Sequence, residues 1–166
     1  MTLEIWLDVG DIPELDYSAN VDKLICKKEY AEKFEQFDLI FVDNNMIYNE
    51  KGKKIGTYLH IENQKNQMDA KSLVGSVEWI MITADDWKMI PLENLVAAAQ
   101  NTPTKIAARM DSTEQLLGAA YALGCGVDAL IIRDLNESLN VANSIKKEKL
   151  SSDKILINSN QISINE

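Results

Sequence analysis

Short apolar runs alternating with helical patterns constrain this chain more than any other feature. The runs fall at 3–8, 38–43, 55–61, 77–83, 105–110, 128–133 and 154–158 and are rich in Ile, Leu, Val and Trp. Most are continuous, not strictly in-out, as expected of strands covered on both faces in a parallel sheet or barrel. Helical patterns fill several gaps. Tyr30, Ala31, Phe34 and Phe37 make a stripe over 27–36 and one turn beyond. Pro91 suits a first helical position, with Leu92, Leu95, Val96 and Ala99 on one face. Asp111 and Glu114 read as a cap and third-position acid before Leu116, Leu117, Ala120 and Tyr121, with Gly124 as the stop. Asp134 and Glu137 repeat that arrangement before Leu139, Ala142 and Ile145.

Alternation of this kind predicts an α/β fold of βα units with a mainly parallel sheet. Seven units in 166 residues average about 24 residues each, short of the roughly 30 of an ordinary βαβ unit. A full-sized eight-unit barrel of about 250 residues does not fit. The expectation is a small or incomplete (β/α) barrel-like domain over 1–153, with an open doubly wound sheet as the second choice. The polar stretch 44–54, with Gly52, reads as a loop or hairpin.

Charge and cysteine content narrow the function classes. Seventeen Lys and Arg against 26 Asp and Glu, a net charge of −9, argue against a nucleic-acid surface. Cys26 and Cys125 form no CxxC pair, so neither a disulfide framework nor a thiolate metal site is expected. The N-terminus lacks a cationic start and carries acids among its apolar residues, unlike a signal peptide. The longest apolar run, at 79–83, is far shorter than the roughly 20 residues that span a bilayer. A cytoplasmic protein with no membrane partner is expected.

In parallel α/β folds ligands gather beyond the carboxyl ends of strands. Those positions carry Asp8, Asp43, His60, Glu62, Asp85, Asp86, Lys88, Arg109, Arg133 and Asp134. The mixed signs suit a small polar anion bearing an amine or hydroxyls; alternatively the acids cap helices and the two arginines pair with rim acids. Lys88 either binds a carboxylate or is simply solvated, since Asp85 and Asp86 beside it favour its charged form and disfavour imine chemistry. His60, the only histidine, is a candidate for acid–base work with Glu62 on the same face, or a rim residue without chemical duty. Asp85, Asp86 and Glu93 offer oxygen ligands for a hard divalent metal, at no specific spacing. Gly124-Cys125-Gly126 precedes a strand and so does not match a dinucleotide fingerprint, which follows one.

The segment Val77-Glu78-Trp79-Ile80-Met81-Ile82-Thr83-Ala84-Asp85-Asp86-Trp87-Lys88-Met89-Ile90-Pro91-Leu92-Glu93-Asn94-Leu95-Val96-Ala97 resembles the N-terminal half of type II 3-dehydroquinate synthases. Asp86-Trp87-Lys88 and Ile90-Pro91-Leu92-Glu93-Asn94 carry the resemblance. Ile5-Trp6-Leu7-Asp8 and Gly126-Val127-Asp128-Ala129-Leu130-Ile131 support it in order and spacing. The 3-amino-4-hydroxybenzoate synthases, a sister group, share the Ile-Pro-Leu-Glu part. The resemblance implies NAD-dependent oxidative deamination of 2-amino-3,7-dideoxy-D-threo-hept-6-ulosonate and cyclisation to 3-dehydroquinate, in aromatic amino-acid biosynthesis. It implies Lys88 and Glu93 as catalytic residues, with Asp8, Asp86, Arg109 and Arg133 binding the anionic substrate. Lys88 and Glu93 are expected to share one hollow. Glu93 equally suits the first turn of a helix, where an acid is favoured by the dipole.

Family members continue into a β-rich segment with Arg-Pro-Phe-Arg-Val-Asn-Ala-Gly and Gly-Asp-Arg-Val-Cys runs, neither of which occurs in these 166 residues. Residues 154–166 are therefore expected to hold the first strand of that segment. Three readings follow: the N-terminal part of a synthase needing a separate C-terminal half, a non-catalytic binding or assembly module (as a homo-oligomer or with a partner), and a metal-dependent relative of the benzoate synthases.

Overall fold

The computed structural model describes residues 2–10, 20–87, 92–134 and 136–164, with 153–164 described through the backbone alone. Eight strands close into a barrel in sequence order: β1 (Glu4–Gly10), β2 (Lys23–Cys26), β3 (Leu39–Asp43), β4 (Met46–Asn49), β5 (Lys54–His60), β6 (Trp79–Thr83), β7 (Lys105–Arg109) and β8 (Ala129–Ile132). β8 pairs in parallel with β1, completing the ring. The small, mainly parallel barrel expected from the apolar runs is the fold observed.

A hairpin lets so short a chain close the barrel. β4 runs antiparallel to both β3 and β5, while the remaining neighbours are parallel. Asn44 and Asn45 link β3 to β4 with φ of 49° and 62°, the left-handed pair that a two-residue hairpin requires and asparagine tolerates. One strand is thus added without a crossover helix. A 3-10 helix, Lys28–Phe34, lies between β2 and β3 where the sequence pattern predicted a longer helix. Helices α1 (Gln64–Leu73), α2 (Leu92–Ala99) and α3 (Thr113–Ala120) connect β5 through β8, and α4 (Glu137–Ile164) follows β8.

The strand expected at 154–158 is not formed, because the backbone there continues as α4. Its apolar residues recur closely enough to fit either periodicity, and short apolar runs do not separate the two. The cap of α3 also differs by one residue: Ser112, not Asp111, accepts from the Gln115 amide, and Gln115 accepts in return from the Asp111 amide. The buried face is Leu116, Ala119 and Ala120, with Leu117 and Tyr121 exposed. Leu95, Val96 and Ala99 of α2, and Ala142 and Ile145 of α4, are buried as their spacing predicts.

Strand parity divides the core in two. Trp6, Ile25, Ile40, Ile47, Trp79, Met81, Ala107, Ala129 and Ile131 fill the barrel interior. Alternate residues such as Ile5, Leu7, Ile80, Ile82, Ile106 and Leu130 pack outward with the helices. Both faces are apolar, which is why the strands read as continuous runs. At the amino ends of the strands Trp6 and Trp79 meet at 4.6 Å between ring centroids. Lys23 stands 5.2 Å over each ring and forms an ion pair with Glu4 at 2.7 Å; Lys105 adds a second cation over Trp79. This end is plugged. Gly126 is needed beneath α3, where φ is +75° and a Cβ would run into the Ala120 carbonyl. No helix among the described residues is long and apolar enough to cross a membrane.

Asp134 caps α4 as its position predicts. Its carboxylate accepts from the amides of Asn136 and Ser138. The Ser138 hydroxyl, the largest cause, and these amides hold the carboxyl below its usual value of 3.8. A lowered folded pKa means that the stabilisation is present above the unfolded value and lost as pH falls through the folded one. Asp134→Ala is expected to cost about 0.5–2 kcal/mol at pH 7, measured by urea denaturation. The gap to the parent should narrow in acid; an unchanged gap there would assign the loss to something other than the charged cap.

Candidate active site at the barrel mouth

The carboxyl ends of β1, β5, β6, β7 and β8 open together on the end opposite the tryptophan plug. A cavity of about 240 Å³ occupies this mouth, lined by Asp8, Cys26, Tyr58, Thr83 and Arg109 over a floor of Ile25, Met81 and Ile131. Parity explains the set: Asp8 follows Trp6, Thr83 follows Trp79 and Met81, and Arg109 follows Ala107 at two-residue steps along inward-facing rows. Beside Asp8 the β1–β2 register slips at Gly10, which has φ of 57° and donates its amide to the Asp8 carboxylate at 2.9 Å. Such bulges re-aim side chains next to sites.

Arg109 is the residue least satisfied by its surroundings. Its Nε is buried and makes no hydrogen bond, the only such side-chain atom among the described residues. The nearest carboxylate oxygen, on Asp111, is 3.9 Å away and too distant to accept. A buried donor without an acceptor costs about 1–3 kcal/mol, and Arg109 is among the residues that line the mouth. Across the cavity the Tyr58 hydroxyl and the His60 Nδ1 both meet Thr83 Oγ1, at 2.8 and 2.7 Å. Tyr58 and Thr83 thus present a polar wall suited to hydroxyl groups.

Of the residues expected at the site, Asp8 and Arg109 are brought together here. Arg133 is not among the residues lining this cavity and pairs with Asp111 at 2.7 Å. Asp86 is exposed on the connection to α2. Glu93 lines a separate hollow of about 440 Å³ on the outer face of the barrel, with Trp87, Leu92, Met110, Glu114 and Gln115. Lys88 lies outside the described residues. Trp87, beside it in sequence, donates its indole N–H to the Arg109 carbonyl at 2.9 Å, tying the β6–α2 connection to the end of β7. Tyr58 and Thr83 were missed by sequence reasoning, although the inward parity of Trp79 and Met81 points to Thr83.

Burial raises the Cys26 thiol to about 11. Each unit is a factor of ten in thiolate, and the thiolate is the reactive species. Iodoacetamide is therefore expected to label exposed Cys125 well before Cys26, as read by peptide mass spectrometry. Equal labelling rates would mean that the Cys26 thiol is not buried.

The mouth cavity alone does not fit NAD. The mouth cavity is below the about 300–1,000 Å³ typical of ligand pockets, and Gly126 of the Gly-Cys-Gly turn packs against α3. For metals, His60, Glu62 and Asp85 place ligand atoms within 4.8 Å of one another, the one such group of His, Cys, Asp and Glu among the described residues.

Comparison with known proteins adds a family. Residues 7–147 match the family model described as the 3-dehydroquinate synthase II N-terminal domain. The chain is 26% identical over 143 residues to the 3-dehydroquinate synthase of Methanosphaera stadtmanae, covering 82% of this chain and 38% of that protein. It is 25% identical over 153 residues to that of Methanocaldococcus jannaschii, covering 88% and 40%. Against the Methanothrix thermoacetophila protein of the same name it is 34% identical over 88 residues, covering 52% and 24%. The chain thus spans well under half the length of these curated relatives. No solved structure matches it.

Proposed function

Because the chain belongs to the 3-dehydroquinate synthase II N-terminal domain family, we propose that its barrel mouth holds the substrate of a 3-dehydroquinate synthase-type reaction. The reaction is oxidative deamination of 2-amino-3,7-dideoxy-D-threo-hept-6-ulosonate with NAD, followed by cyclisation to 3-dehydroquinate. The observation that carries the reading is the unsatisfied Nε of Arg109 at a cavity also lined by Asp8, Tyr58 and Thr83.

Each group has a chemical counterpart. Arg109 binds the substrate carboxylate, where a charge-assisted hydrogen bond relieves its orphaned donor. Asp8 accepts from the substrate ammonium. Tyr58 and Thr83 bond to hydroxyl groups and reject analogues lacking them. Lys88 is the remaining candidate, for a second anionic contact; Glu93 lines the separate outer hollow and takes no part at the mouth. NAD supplies the hydride acceptor when bound, and the mouth cavity alone is too small to hold it. The chain spans well under half the length of its curated relatives, and redox turnover is expected to need the remainder of such a protein, in the same chain or as a separate half.

An NADH assay with the amino-heptulosonate tests this, run on the chain alone and mixed with the separately expressed remainder of a full-length relative. Activity that appears on mixing supports the reading. Absence of both activity and association sinks it and leaves a non-catalytic binding or assembly module.

A further inference from the structure

His60, Glu62 and Asp85 meet just outside the mouth, from the ends of two adjacent strands. His60 closes β5 and stands opposite Thr83 of β6 in the parallel ladder; Glu62 and Asp85 each follow two residues later. His60 Nε2 is 3.4 Å from Asp85 Oδ2 and 3.7 Å from Glu62 Oε1. These separations exceed a good N–H···O bond of about 2.7–3.2 Å. They are ion-pair distances for a protonated ring, and they also match ligands sharing a cation: two atoms each about 2.1 Å from a tetrahedral metal stand about 3.4 Å apart.

The imidazole is anchored from its far side. Nδ1 lies 2.7 Å from Thr83 Oγ1, and Thr83 is itself 3% exposed and also bonded to Tyr58. Two hydrogen-bond directions are open to this chain. In one, Thr83 donates to Nδ1 and the Nε2 proton faces the carboxylates. In the other, Nδ1–H donates to Thr83, Thr83 donates to Tyr58, and Nε2 turns a lone pair toward two carboxylate oxygens. The second arrangement is the outer-shell support that metal-binding histidines use, and it leaves three electron-pair donors within 4.8 Å of one another.

We propose that His60 Nε2, Glu62 and Asp85 form a divalent transition-metal site. One nitrogen and two carboxylate oxygens suit Zn²⁺, Co²⁺ or Mn²⁺. Three protein ligands leave a coordination position open to solvent, as in sites that admit a further ligand. The site does not depend on the reading of the mouth cavity, and its test needs no substrate.

The experiment is titration of tag-free protein with Zn²⁺ by calorimetry and with Co²⁺ by visible absorption, together with ¹⁵N spectra of the histidine ring. His60 is the only histidine, so its ring signals need no assignment by mutation. Stoichiometric binding is expected, with Nε2 metal-bound and Nδ1 protonated. His60→Gln should abolish saturable binding. Asp85→Asn and Thr83→Val should each weaken it about tenfold or more, the latter with all three ligands intact. Failure to bind metal up to millimolar concentration, equal binding by His60→Gln, or metal on Nδ1 would overturn the proposal. The ring spectrum of the parent protein decides the matter even if Thr83→Val does not fold.

Discussion

Arg109→Met is expected to weaken binding of 3-dehydroquinate by about ten- to a hundredfold while leaving the fold as stable as the parent or more so. The binding loss follows from removing a charged hydrogen-bond donor, worth about 1.5–3 kcal/mol. The stability effect has the opposite sign for a stated reason. Nε of Arg109 is buried without an acceptor, and its ion pair with Asp111 is long, at 3.9 Å. An unbranched apolar side chain fills the same space without that cost. Calorimetric titration and urea denaturation of the same preparation separate the two quantities. A variant that binds normally, or one that loses stability in step with binding, would make Arg109 a structural residue.

Trp79→Ala is expected to destabilise the chain by about 3–5 kcal/mol, the cost of emptying a large buried aromatic site. Trp79 is 2% exposed and packs against Trp6 at the amino end of the barrel. Its removal also strips the aromatic face from beneath Lys23 and Lys105. Domains have only about 5–15 kcal/mol to lose, so the urea midpoint should fall steeply. Trp79→Phe, which keeps a ring in the plug, should lose much less. A cost below about 1 kcal/mol for the alanine variant would mean that the strands do not close around this side chain.

The barrel was legible because its strands are apolar on both faces, and runs such as Trp79–Thr83 and Lys105–Arg109 stand out against charged loops. What escaped was short or polar. β2, Lys23–Cys26, has four residues, too few for any period to show, and Asp22 and Lys27 flank it. β4 sits in a stretch of Asn, Glu and Lys whose one fully buried side chain is Ile47, and only the hairpin geometry gives it a place. α1 buries little beyond Ala70, so it carries almost no amphipathic signal.

Part of the lining of the mouth cavity was legible by the same logic and with the same limits. Asp8 and Arg109 fall at strand ends, which a linear reading finds. Tyr58 and Thr83 become visible only once the inward face of each strand is known, and that depends on which residues the closed barrel traps inside. Glu93, picked from a motif, lines the outer hollow between α2 and α3, because a position in the first turn of a helix is set by that helix and not by the strand before it.

The central claim is that the open end of the barrel receives a small hydroxylated carboxylate. Backbone and side-chain NMR of the ¹⁵N,¹³C-labelled chain, titrated with 3-dehydroquinate, tests it most directly. The account predicts saturable shifts at Asp8, Tyr58, Thr83 and the Arg109 Nε–H, with Glu93 and Glu114 unmoved. Shifts confined to the hollow between α2 and α3, or no saturable change at the mouth, would contradict it.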